Sequence, residues 1–61
     1  MKCREFLNLY GDWSKTVYIT NNCFDIIARG KPAVVLSYRN TYEKEVVSFR
    51  IVDNELFIRV K

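Results

Sequence analysis

The sequence predicts an α+β fold, an N-terminal helix packed on one face of a mostly antiparallel four-stranded sheet made of two β-hairpins. Three observations predict it. Apolar residues recur at helical spacing near the start of the chain. Two later segments alternate in the strand manner around the turn pairs Asn21-Asn22 and Asp53-Asn54. Sixty-one residues leave room for one domain, residues 1–61, with no linker, repeat or low-complexity stretch.

Residues 2–10 read as a short amphipathic helix. Cys3, Phe6, Leu7 and Tyr10 fall on one face, and Gly11 stands where a helix stops. A helix this short is not stable alone, so its apolar stripe must dock on the sheet. Trp13 lies in the link to the first strand, where it is expected to close the end of the core.

Residues 15–20 form the first expected strand and residues 23–29 its return. A two-residue turn at Asn21-Asn22 pairs Thr20 with Cys23, Ile19 with Phe24, Tyr18 with Asp25 and Val17 with Ile26. One face then carries Val17, Ile19, Phe24, Ile26 and Ala28. The other carries Thr16, Tyr18, Thr20, Cys23, Asp25 and Ile27.

Gly30-Lys31-Pro32 closes this unit. Residues 33–38 follow a proline, which suits a helix start, but they are β-branched enough for a strand. The reading leans to a short helical or irregular turn ending before Asn40, with a polar loop over residues 39–44.

The last hairpin is more sharply specified. Residues 45–52 run into Asp53-Asn54 and residues 55–60 return. The turn pairs Ile51 with Leu56, Phe49 with Ile58 and Val47 with Val60, all apolar. A slip by one residue would bury charge and expose that row.

Composition narrows the function. The chain carries ten Lys and Arg against seven Asp and Glu, a formal charge of +3. This argues against imitation of DNA, which needs a dense negative surface. There is no histidine, so the usual proton shuttle at neutral pH is missing. Ser14, Ser37 and Ser48 have no base at a suggestive spacing, and Glu43 and Glu45 read as a charged loop edge. No glycine-rich loop is present to cradle a phosphate. Two cysteines twenty positions apart make no standard zinc pattern. The expectation is a non-enzyme with no cofactor and no metal.

The opening MKCREFLNLY is too charged for a signal peptide or a membrane span. A cytoplasmic protein with reduced thiols, Cys3 in the core and Cys23 unreactive, is expected.

One helix covers only one side of a sheet. The other side is expected to carry Tyr18, Ile27, Val46, Arg50, Val52, Phe57 and Arg59 as partner-binding residues, with Thr16 beside them. Aromatic and aliphatic area with arginine anchors suits a host protein or protein complex, or a second copy in a twofold homodimer. The same rings and cations loosely suit single-stranded nucleic acid, although Asp25 and Glu55 lie among them. A plainly solvated face is the third reading.

The order of elements carries a resemblance. The helix opening MKCREFLNLY, the hairpin at Asn21-Asn22, the Gly-Lys-Pro corner and the ending V-x-S-F-x-I-x-D-N-x-L-x-I, from Val46 to Ile58, resemble short α+β proteins encoded by phages and mobile elements of Gram-positive bacteria. The likeness covers most of the chain in layout. Some small proteins of this class inhibit bacterial defence, including CRISPR effectors, by binding and blocking rather than by catalysis. The resemblance thus implies a binding protein, an anti-defence inhibitor being its most concrete form. It assigns a role to no particular residue. The alternatives are a nucleic-acid-binding accessory protein and a self-associating structural protein.

Overall fold

The computed structural model describes residues 1–61, the side chain of Arg39 excepted. Seven elements follow in order: α1 Cys3–Tyr10, β1 Val17–Thr20, β2 Ile26–Gly30, α2 Pro32–Val35, α3 Arg39–Tyr42, β3 Val46–Val52 and β4 Glu55–Val60. The four strands form one mixed sheet in the order β2-β1-β4-β3. Both hairpins are antiparallel. They meet along a parallel pair, β1 beside β4, in the middle of the sheet.

α1 forms where the apolar spacing places it. The Glu5 carboxylate accepts the Lys2 N–H at 2.9 Å and so satisfies a donor at the helix start. Gly11 ends the helix in the left-handed region at φ 79°, where a Cβ would be strained. Just ahead of α1, the Val46 N–H donates to the Met1 carbonyl and the Cys3 N–H to the Lys44 carbonyl. These bonds pin the helix start beside the first residues of β3.

The core lies on one side of the sheet. Val17 and Ile19 of β1 and Leu56, Ile58 and Val60 of β4 are buried against Cys3 and Leu7 of α1 and Val35 of α2. Each large aliphatic side chain so buried contributes roughly 1.5–3 kcal/mol. Phe6, Tyr10, Ala28, Leu36 and Val46 pack around this cluster, partly buried.

The Asp53-Asn54 turn forms as the sequence reading has it, with φ 51° and 65° at its two residues. Phe49 pairs with Ile58 and Ile51 with Leu56. The third expected pair changes. Val47 is the extra residue of a bulge, and Val46 takes its place opposite Val60. β3 is also an edge strand, so the row of Val47, Phe49 and Ile51 is not buried as the pattern implies. Phe49 is 54% exposed and meets Phe6 of α1 with ring centroids 4.8 Å apart.

The first hairpin differs more. Its connection is a three-residue loop, Asn22 to Phe24, closed by Asn21 and Asp25. The Asn21 side-chain oxygen accepts the N–H groups of Cys23 and Asp25 at 2.9 and 3.0 Å, and the Phe24 N–H bonds the Asn21 carbonyl. Thr20 therefore pairs with Ile26. A bulge at Ile27 then brings Ala28 opposite Ile19 and Gly30 opposite Val17. Phe24 and Ile26, expected in the core, are exposed; Ala28 remains on the core side.

Residues 32–35 are helical, in keeping with the proline start. Residues 39–42 form a helical turn where a polar loop is expected, and α3 packs beside α1 with Thr41 buried. Trp13 does not close the core; it is 41% exposed in the link before β1. There the Asp12 carboxylate accepts both the N–H and the hydroxyl of Ser14 instead, and these bonds hold its pKa below the usual range. Among the described residues, no helix is long and apolar enough to cross a membrane.

Candidate interaction face on the open side of the sheet

Because side chains alternate along a strand, burying Val17, Ile19, Leu56, Ile58 and Val60 turns Tyr18, Thr20, Glu55, Phe57 and Arg59 to the opposite side. The helices supply their core residues to the other face, so this outer face is open.

The strand registers arrange it in rows. Arg29 of β2 is opposite Tyr18 of β1, Tyr18 is opposite Phe57 of β4, and Phe57 is opposite Arg50 of β3. Two rings in the middle of the sheet are thus bracketed by an arginine on each edge strand. In the next row Ile26, Thr20, Arg59 and Ser48 follow one another across the same four strands.

Tyr18 and Phe57 stack with ring centroids 4.6 Å apart and planes 10° from parallel. Rings lying flat and side by side could not approach so closely. The pair therefore stands face to face, at about the 4.8 Å spacing of neighbouring strands. The Tyr18 hydroxyl donates to Glu55 Oε2 at 2.9 Å. That bond to a carboxylate, with some burial, raises the phenol pKa.

Arg59 holds the second row together. Its guanidinium lies over the Phe24 ring, 5.3 Å from the centroid. Its Nε is buried without an acceptor. Phe24, Ile26, Thr20, Arg50, Phe57 and Arg59 line a shallow groove.

Of the residues read from the sequence, Tyr18, Arg50, Val52, Phe57 and Arg59 share this face. Val52 stands opposite Glu55 beside the turn. Val46 does not share it, because the bulge at Val47 packs Val46 against the core. Ile27 is the bulge residue of β2 and lies exposed along that edge with Ile26 and Arg29.

Two participants escape the sequence reading. Arg29 takes the place opposite Tyr18 that the two-residue turn assigns to Asp25. Phe24 is turned from the core to the groove by the longer loop. The asparagine side chain that closes this loop is visible in the sequence, but an Asn-Asn pair suits a two-residue turn equally well.

No family model, curated protein or solved structure matches the chain. Among the described residues, no group of three or more Cys, Asp and Glu is placed to hold a metal ion. Cys3 is buried and Cys23 is exposed on the hairpin loop; both are free.

Proposed function

We propose that this is a non-catalytic binding protein whose outer sheet face docks on a host macromolecule. In its most concrete form it is a phage- or mobile-element-type inhibitor that binds and blocks a defence component. The observation that carries the reading is the row Arg29, Tyr18, Phe57 and Arg50 on a sheet face that no helix covers. Aromatic rings held rigid by each other, with arginines at either side, are the anchor types that dominate protein interfaces. The rigidity also matters, since little side-chain entropy is lost when such a face is covered.

Single-stranded nucleic acid is the weaker reading. Base stacking needs a free ring face. Tyr18 and Phe57 spend one face each on the other, and Arg59 covers one face of the Phe24 ring, so only part of this aromatic area stays open to bases.

The test uses immobilised protein in lysate of a Gram-positive host. Wild type should retain a host protein that Phe57→Asp and Arg50→Glu both lose, while the circular dichroism and thermal melts of all three agree. Equal retention by both variants sinks the outer-face reading.

A further inference from the structure

The outer face is electrostatically one-sided. It presents three arginines, Arg29, Arg50 and Arg59, and one carboxylate, Glu55, which already accepts the Tyr18 hydroxyl. Among the described residues the ion pairs join Met1 to Glu45 and Asp12 to Lys15, so none of the three arginines has an acidic partner. The whole chain carries an excess of three positive charges. An excess of two, three arginines less one glutamate, stands on this face.

Arg59 is the centre of it. The guanidinium is desolvated on one side by the Phe24 ring, and its Nε finds no acceptor within the protein. The Nε is enclosed by the protein itself, so an arriving carboxylate is taken by the terminal nitrogens of the guanidinium, which have no acidic partner and can offer two parallel bonds. The arrangement therefore gains when an oxygen acceptor arrives.

Phe24 points the same way. It occupies the left-handed region at φ 65°, where a bulky residue is strained and glycine is favoured. Its ring is 68% exposed and adds little to the core. The strain is thus not repaid by packing within the fold. The left-handed position is the last of the three-residue loop, where hairpin geometry calls for it, and the loop sets this ring over the groove beside Arg59.

Resting on the outer-face reading above, we infer that the partner is a protein presenting an acidic segment. Its carboxylates seat on Arg59, Arg50 and Arg29, and its apolar side chains lie against Phe24 and Phe57. The apolar groove floor is what separates this from simple attraction of any anion. A bare phosphate would meet the arginines and leave Phe24 and Ile26 in water.

The experiment follows amide resonances of the full chain against three probes. These are an N-acetylated, C-amidated Glu-Phe-Glu-Leu-Glu peptide, its uncharged Gln-Phe-Gln-Leu-Gln counterpart and oligothymidylate. The acidic peptide should shift the amides of Tyr18, Phe57 and Arg59 and bind at least about tenfold more tightly than the neutral one. Arg59→Gln should remove that preference, and added salt should weaken it. Equal binding of both peptides on this face overturns the acidic partner and leaves the outer-face reading standing. Oligothymidylate binding there in preference to both peptides overturns it in favour of nucleic acid. No response of this face to any probe counts against the acidic partner and the outer-face reading together.

Discussion

Tyr18 and Phe57 are neighbours across the parallel seam of the sheet, and their rings stack 4.6 Å apart. Each ring therefore depends on the other for its orientation. Stacked aromatic pairs contribute about 0.5–1.5 kcal/mol beyond their area burial. A double-mutant cycle of Tyr18→Ala and Phe57→Ala, read by urea unfolding, should give a coupling free energy in that range. Additive losses would mean that the rings merely share a face.

Phe24→Gly separates stability from binding. Glycine relieves the left-handed strain at φ 65° and removes a ring that is mostly in water. Unfolding free energy should hold steady or rise by up to about 1 kcal/mol. Affinity for the partner should fall, because Arg59 loses the ring beneath it. A marked fall in melting temperature would show instead that the ring is structural.

Gly30 has the opposite character. Its φ of 139° suits glycine, and a Cβ there would come within 3.2 Å of the Val34 side chain of α2. Gly30→Ala must therefore strain the backbone at this φ and displace the Val34 side chain by a few tenths of an ångström. A loss of about 1–3 kcal/mol in chemical denaturation is expected. Lys44→Ala, exposed and without a side-chain hydrogen bond or ion pair among the described residues, is the control that should change little.

The two cysteines should differ sharply in reactivity. Iodoacetamide should modify Cys23 in the native protein and reach Cys3 only on unfolding. Burial raises the Cys3 thiol from its ordinary value of 9.0 to about 11. In that interval the unfolded chain releases the proton and the native one keeps it, so stability falls as pH rises. The raised Tyr18 phenol acts in the same direction. Denaturation midpoints should be flat near neutrality and decline between roughly pH 9 and pH 11. In Cys3→Ala, compared with itself across the same range, the decline should be smaller.

Structure is legible in the sequence where one local signal decides the geometry. Asp53-Asn54 specifies its own turn, and that turn sets Phe49 against Ile58 and Ile51 against Leu56. The stripe from Cys3 to Tyr10 specifies α1 in the same way. Structure is hidden where two local solutions are close in energy. Asn21 can begin a two-residue turn, but its side chain closes a longer loop and moves Phe24 out of the core. Bulges at Ile27 and Val47 leave no mark on a two-residue alternation. Residues 39–42 are held helical beside α1 without any helical periodicity of their own. The strand order escaped entirely, because alternation says which side a residue faces and not which strand lies beside it. That order sets Tyr18 against Phe57 and leaves Phe49 at an edge. The candidate face was therefore legible as a set of residues and not as a pattern of neighbours.

The seam between β1 and β4 also governs how the protein comes together. Each hairpin closes over a few residues, and such closures take microseconds. The seam instead joins Val17 to Leu56 and Thr20 to Arg59, across most of the chain. It forms only after that long loop has been closed, an entropic barrier that slows folding. Neither hairpin has a buried face until it forms, since the core is shared between β1 and β4. Folding is thus expected as a single concerted event whose rate is set at the sheet's centre. A substitution at Ile19 or Ile58 should slow refolding, while one at the Asp53-Asn54 turn should leave the slow step largely untouched.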